Sequence, residues 1–572
     1  MMVLEGGLTA IAIALAFLSP RIGSSFFSPV ERAFGRLARK QGLSVAVVGA
    51  TAFLLRLAML PLFPIPHPFL PDDFSFLLAS DTFASGRLTN PTPAMWVHFE
   101  SIHITMKPTY MSMYFPAQGL VLAAGKVLTG HTWYGVLATS ALMCAAICWM
   151  LQAWLPPTWA LLGGMIAVLR LGLFSYWINT YSGGGTIAAF GGALVLGAFP
   201  RFMKKVRLRE SLLMAIGIIL LATSRPYEGI LLCLPVAFVL GRWVFFGSNR
   251  PSTTLLLRRT VVPLVLVLFT GAWMGYYDYR AFGSPLTPPY AINRATYAMA
   301  PYFVWQSARP EPVYRHKVMR DFYYHNELKA FDEIHSVSGF FPATLLKATR
   351  GVLFFTGIAL LPPLIMLRRV LMDRRTRFLV LCVLILMAGM LIEIFLIPHY
   401  LAPFTAVFYA LGLQAMRHLR VWRAGAQRFG IGMVRLIVTV CFVMAGLRLY
   451  AGPLGFRINK WPASEWTGEW YGPAAQFGAS RANIVTALDQ LPGKQLVIVR
   501  YSPKHNPLDE WVYNAADIDH SKVIWAREMD ADDNCELMQY YKDRKVWLVQ
   551  PDLKPTSVAP YPSVCQQTAS AR

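Results

Sequence analysis

Residues 69–93 read FLPDDFSFLLASDTFASGRLTNPTP and begin a few residues after a strongly apolar segment ends. Two adjacent carboxylates, Asp72 and Asp73, follow Pro71, and Asp81 comes later in the same stretch. Proline suits the first position of a helix, and acids in the first turn suit its positive end. The stretch therefore predicts a short amphipathic helix that opens at Pro71 and closes near Gly86. At about 100° per residue Asp73 and Ser80 share a face, while Asp81 lies roughly 80° from Asp73. Whether these acids only cap a helix or also do chemistry depends on the chain that carries them.

That chain is 55% hydrophobic and only 15% charged, with a mean hydropathy of +0.44. Soluble domains carry about 25% charged residues. Apolar runs of roughly 16 to 24 residues recur, near the ~20 that one helical crossing needs. The fold class is thus a polytopic α-helical membrane protein with about 11–13 transmembrane helices. Spans are expected near 3–18, 43–63, 132–153, 158–175, 183–200, 211–225, 228–246, 260–279, 343–366, 378–397, 400–416 and 431–450. The first of these has no basic n-region before it and no clear cleavage site, so it reads as a retained helix.

The net charge of +23 does not point to nucleic acid, because the basic residues cluster in the short connections. Arg32, Arg36, Arg39 and Lys40 form one such cluster, Arg201, Lys204, Lys205, Arg207 and Arg209 another, and Arg368, Arg369, Arg374, Arg375 and Arg377 a third. Placing every cluster on the cytoplasmic side gives one self-consistent threading. Two long connections, about 64–131 and about 280–342, then face outward together with the tail. The division expected is a membrane domain over residues 1–450 and a C-terminal domain over 451–572. The tail holds three strand-like runs, LVIVRY, KVIWARE and KVWLVQ, separated by helix-compatible stretches, which predicts a small α/β domain with parallel pairing. It lacks a GxGxxG turn, so dinucleotide binding has no support. Cys535 and Cys565 lie in this tail and are candidates for a disulfide if it faces an oxidising compartment.

Long connections are uncommon unless they do something, so chemistry is sought on the outer face. A carboxylate beside apolar walls has its pKa raised and accepts a proton from a hydroxyl, which makes Asp72, Asp73 and Asp81 the candidate catalytic acids. An acidic pair early in the first large outer loop resembles the GT-C superfamily of membrane glycosyltransferases, which includes the protein O-mannosyltransferases and the lipid A aminoarabinose transferases. The stretches RLTNPTPAMWVHFESIH, YFPAQGLVLAAGKVL, SRPYEG, EPVYRHKVMRDFY and IPHYLAPF are similar to a bacterial branch of that superfamily over most of the chain. The resemblance implies a GT-C fold, a sugar donor carried on polyprenyl or dolichyl phosphate, and a catalytic acid at Asp72 or Asp73. The family often has Asp-Glu where this chain has Asp-Asp. Motifs similar to IPHYLAPF lie near the donor phosphate in the family, which implies that His399 and Tyr400 do so here, with histidine where arginine is frequent.

Other groups are read from their own chemistry. His98, Glu100 and His103 in HFESIH are candidate substrate-binding residues, with structural hydrogen bonding as the plain alternative. The two histidines are five apart, about 140° around a helix, so they do not form the paired ligands of HExxH. Lys107 is a further candidate for a phosphate, or else a solvated lysine. Arg315, His316, Lys317 and Arg320, with Arg294 as a weaker case, supply cationic donors for a departing phosphate or else a solvated basic surface. Arg225 and Glu228 read as a structural ion pair. Arg56 inside a span needs a partner or a cavity. The glycine-rich stretch 181–199 reads as close helix packing, and Trp461, Trp466, Trp470 and Tyr471 as interfacial anchors, with stacking on a sugar ring as the alternative.

The function expected is therefore an inverting glycosyltransferase. It moves a sugar from a polyprenyl-phosphate carrier to a hydroxyl of a glycan, lipid or protein. The expected setting is the bacterial inner membrane, with the site and the tail facing the periplasm or exterior. No cofactor is required, and a divalent metal has room to act. The rival is a transporter or lipid flippase, which explains the spans but not three large outer segments with carboxylates at a membrane exit.

Overall fold

The computed structural model describes residues 1–19, 23–182, 184–248, 250–423, 427–451 and 478–562. Each of the twelve apolar segments holds helix, from Met2–Leu18 to Phe429–Leu449. Among the described residues six helices are long and apolar enough to cross a bilayer: Gln41–Ala58, Trp133–Trp154, Gly185–Lys204, Pro226–Phe246, Thr253–Phe282 and Phe429–Leu449. A seventh crossing results if Pro362–Met372 and Arg377–Ile392, bent by 109°, are taken as one. The other segments are shorter or interrupted. Met2–Leu18 has 17 residues, Leu208–Ala222 has 15 and Thr405–Arg420 has 16. The apolar run at 343–366 breaks because Gly357, at φ 58°, terminates Val337–Thr356 and Pro362 opens a new turn.

Trp133–Trp154 and Gly185–Lys204 form the centre of the bundle, with 72% and 78% of their spanning windows buried, whereas Thr253–Phe282 is 6% buried and faces outward. The glycine-rich stretch makes the central contact possible. A Cβ on Gly192 would sit 1.9 Å from the carbonyl oxygen of Pro403, so only glycine lets the Pro398–Phe404 turn lie against this helix. Two charged groups inside the bundle, Arg56 and Glu5, are held by partners. Arg56 donates to Phe63 O at 2.9 Å and Asn179 Oδ1 at 3.1 Å and lies over the Trp133 ring, fixing the chain where it leaves the span. Glu5 accepts from Arg448 at 3.1 Å and from the Ala359 amide, which ties the first helix to the last.

The long connection after Gln41–Ala58 is ordered. It contains the helix Pro71–Ala84, a two-stranded antiparallel ribbon of β1 (Ile104–Thr105) and β2 (Met111–Ser112), and the helix Pro116–Thr129. The tail forms β3 (Lys494–Val499), β4 (Val523–Arg527), β5 (Arg544–Gln550) and β6 (Ser557–Pro560) in the order β4-β3-β5-β6. The first three strands are parallel and coincide with the three apolar runs of the tail, and β6 closes the edge antiparallel to β5. This sheet packs on the first connection: the Phe74 and Tyr513 rings stack at 4.7 Å, and Arg481 lies over Phe74 and Trp525. Cys535 is disulfide-bonded. Its expected partner Cys565 lies outside the described residues, as do Trp461, Trp466, Trp470 and Tyr471.

Candidate active site

The two neighbouring aspartates face different ways. Asp73, the third residue of its helix and 1% exposed, folds back so that Oδ2 accepts from the amides of Phe69 at 3.3 Å and Leu70 at 3.4 Å, while Oδ1 accepts from the Tyr181 amide at 2.9 Å. It caps the helix and ties it to the end of the short Tyr176–Asn179 helix. Burial drives its carboxyl up to about 7, against the three amide bonds that favour the charged form, and the Asp72 charge adds to the rise.

Asp72 points outward, with about a third of its side chain (32%) exposed. Its Oδ1 lies 2.8 Å from His103 Nδ1 and accepts the Tyr114 hydroxyl. The Tyr114 oxygen is in turn 3.0 Å from the same His103 nitrogen. Burial alone would raise the Asp72 carboxyl, but the His103 charge and the hydrogen bonds from His103 and Tyr114 outweigh it and hold the group at about 2. His103 sits at φ +63°, the one non-glycine residue in the left-handed region among those described. The hydroxyl of Ser75 donates to its carbonyl at 2.6 Å, the Phe322 ring meets its imidazole edge-on at 5.1 Å, and Tyr114 is stacked on Phe76 at 4.4 Å. The cluster is therefore braced from the acidic helix, the ribbon and the second long connection.

The facing wall is the Pro398–Phe404 turn. Tyr176 hydroxyl accepts the His399 amide at 3.0 Å and lies 2.8 Å from His399 Nδ1. The Arg225 guanidinium lies over the Tyr400 ring at 4.2 Å, and 3.9 Å from Glu228. Burial, then Arg225, push the His399 imidazole well below its ordinary range, against the pull of Asp72, so His399 is neutral in this setting. Asp72, His103 and Tyr114 on one side thus meet His399, Tyr400 and Arg225 on the other. The guanidinium and hydroxyls provide donors for an oxyanion, and the carboxylate–imidazole pair provides a proton acceptor.

Solved structures of two kinds of protein resemble this chain. The crystal structure of ArnT from Cupriavidus metallidurans in the apo state is 14% identical with a TM-score of 0.46, over 88% of this chain and 93% of that one. The same protein bound to undecaprenyl phosphate is 14% identical with a TM-score of 0.43, over 88% and 92%. The Archaeoglobus fulgidus oligosaccharyltransferase tethered to an acceptor peptide is 13% identical with a TM-score of 0.44, over 80% of this chain and 62% of that one. The chain thus spans less than two thirds of the archaeal protein. No family model and no curated protein matches the sequence.

The other candidate residues are placed elsewhere. Asp81, about 180° around the helix from Asp72, pairs with Lys126 at 2.6 Å and receives Tyr513 at 3.3 Å. His98 Nδ1 donates to Arg527 O at 3.2 Å. Glu100 is buried, accepts from Tyr297 at 2.7 Å and lies 3.5 Å from Arg315. His316 donates to Val97 O at 2.7 Å, and burial, with Arg527 adding to it, pushes its imidazole down to about 3, so it offers no cation to a phosphate. Arg294 is taken by Glu327, Lys317 by Asp321 and Arg320 by Glu311. Lys107 and Arg315 both lie over the Trp96 ring. These groups clasp the loops to one another because each basic residue has a carboxylate or an aromatic face within reach.

Sequence reasoning passed over Tyr114 and took Arg225 only as the partner of Glu228. The signal for Arg225 was present, an arginine directly before the proline that opens a spanning helix. Among the described residues no three His, Cys, Asp or Glu side chains converge to hold a metal. Asp73, the obvious second ligand beside Asp72, has both oxygens engaged by backbone amides. The residues present do not fit a protein-held metal at this acidic pair.

Proposed function

We propose that the chain is an inverting glycosyltransferase that moves a sugar from a polyprenyl-phosphate carrier to the hydroxyl of a glycan, lipid or protein acceptor. The observation that carries this reading is the proximity of the Asp72–His103–Tyr114 cluster to Arg225, His399 and Tyr400. A donor phosphate at the Arg225–Tyr400 wall puts the anomeric carbon toward the cluster that takes the acceptor proton. Attack from that side, opposite the phosphate, inverts the configuration. The electron pair of the breaking bond goes to phosphate oxygen, where a guanidinium and neutral hydrogen-bond donors stabilise it. A phosphate monoester leaves readily, so the protein mainly positions the reactants and accepts one proton.

On this reading the site belongs to the outer face of a bacterial inner membrane, the side that positive-inside threading assigns to the connection after Gln41–Ala58, and a tail domain expected over residues 451–572 shares that side. The donor enters sideways from lipid, as its chain demands. The test uses purified protein in nanodiscs with labelled undecaprenyl-phosphate sugars and an envelope extract as acceptor source. Release of free undecaprenyl phosphate and a labelled acceptor supports the reading. Movement of intact donor across the bilayer without cleavage replaces it with a flippase.

A further inference from the structure

The geometry points to His103, through Nε2, as the general base of the proposed transfer, with Asp72 as the positioning residue that fixes its tautomer. This rests on the glycosyltransferase reading above and goes beyond it by assigning the proton.

The hydrogen-bond count at Nδ1 decides the tautomer. Both groups facing that nitrogen act as acceptors toward it. Asp72 Oδ1 lies at 2.8 Å and is an ionised carboxylate, and the Tyr114 oxygen lies at 3.0 Å with its own proton committed to Asp72. Nδ1 therefore carries hydrogen, and in the neutral ring the lone pair is on Nε2. That second nitrogen has no hydrogen-bond partner among the described residues and retains accessible surface, although the side chain is only 10% exposed. An oriented, unsatisfied ring nitrogen braced by an ionised carboxylate is what a hydroxyl-activating base requires.

Asp72 is poorly suited to take the proton itself. Its Oδ1 already accepts the Tyr114 hydroxyl and the His103 Nδ1–H, and those bonds lower its basicity, on which general-base efficiency depends. The same hydrogen bonds that weaken it as a base make it a fixed anion that stabilises an imidazolium beside it. The backbone at His103 supports the assignment: a side chain held at φ +63° costs conformational energy, and such positions persist where the surroundings hold them for use.

The step balances. The acceptor O–H gives its proton to Nε2 as oxygen bonds to the anomeric carbon. The carbon–oxygen bond to phosphate breaks, its pair stays on the polyprenyl phosphate, and the imidazolium then releases the proton to water.

The test exploits the positive φ. H103G places glycine where the backbone favours it, so the fold is retained and a space the size of an imidazole is left. Undecaprenyl phosphate release should fall by about 100-fold or more in H103G, the usual worth of a general base. Added imidazole should restore at least a tenth of the activity, and D72N in the same chain should abolish that rescue. H103N, which also tolerates this backbone but has no basic nitrogen, should match H103G without rescue. Near-wild-type release by either variant, or an H103G enzyme that binds donor normally yet never responds to imidazole, overturns the assignment. If the wild-type protein releases no undecaprenyl phosphate from any donor, the glycosyltransferase reading itself falls; wild-type release with an unimpaired H103G removes only the role of His103.

Discussion

Asp73 turns its carboxylate back onto the amides of Phe69, Leu70 and Tyr181, while Asp72, one peptide bond before it, turns its own outward to His103 and Tyr114. One acid builds the helix and the other equips the cleft. Their substitution should therefore fail in different ways. D73A leaves three buried amides without an acceptor, and one such orphan costs about 1–3 kcal/mol. The variant should melt several degrees lower, with activity falling only as the folded fraction falls. D72N should lose at least 100-fold in turnover per folded molecule, beyond the stability it gives up with the Asp72–His103 pair. Unchanged turnover per folded molecule in D72N, or its abolition in D73A, would reverse the two assignments.

The same pair sets opposite pH dependences on stability. Asp73 rises from an ordinary 3.8 to about 7 in the folded chain, so between those values the folded state holds a proton that the unfolded state has lost. Its contribution is complete below pH 4 and disappears as pH rises to 7. Asp72 is lowered to about 2, so its contribution is present above pH 4 and lost as pH falls toward 2. The difference in melting temperature between wild type and D73N, measured in detergent, should shrink from pH 4.5 to 7. A difference that grows over that interval would show that Asp73 is ionised throughout.

The helices were readable because a bilayer demands long apolar runs, and the three parallel strands because runs such as LVIVRY are too short and too β-branched for anything else. The pairing of Asp72 with His103 was not readable. It depends on a turn that puts His103 at φ +63° and on a ribbon that brings Tyr114 beside it, both set by contacts between residues about thirty to forty positions apart. The pairing of the basic residues of the second long connection was hidden for a related reason. Glu327, Asp321 and Glu311 are their partners, and a sequence shows that carboxylates are nearby but not that each lysine or arginine is spoken for.

On the proposed reading Arg225 faces the donor. Its guanidinium lies over the Tyr400 ring, with Glu228 at 3.9 Å, and its charge reaches His399. If it holds the donor phosphate, R225A should weaken binding of undecaprenyl phosphate by roughly 10- to 100-fold, since a hydrogen bond to a charged group is worth about 1.5–3 kcal/mol. R225K keeps the charge but not the planar stack, and should recover part of the affinity. The loss should appear in KM for the lipid donor more than in kcat, the reverse of D72N. A change confined to kcat would move Arg225 out of the phosphate site.

The strand domain reaches the cleft through a buried pair. Arg527, at the end of β4, donates to Glu510 at 2.6 Å and to the carbonyl of Glu100 at 2.6 Å, and Ser101 donates to the same Glu510 carboxylate at 3.1 Å. This holds residues 100 and 101 against the tail, two positions before His103. Removing one partner strands a charge that has been taken out of water, which costs about 3–5 kcal/mol, whereas removing both charges together is often close to neutral. R527M should therefore loosen the strand domain, seen as faster proteolysis near residues 500–530, and should lower transfer through the displaced His103. R527M combined with E510Q keeps acceptors for the Trp511 and Val512 amides and should regain most of the stability. Transfer should stay reduced in the double variant, because the Glu100 carbonyl still lacks its donor. Full activity with a loosened strand domain would show that the tail does not position the cleft.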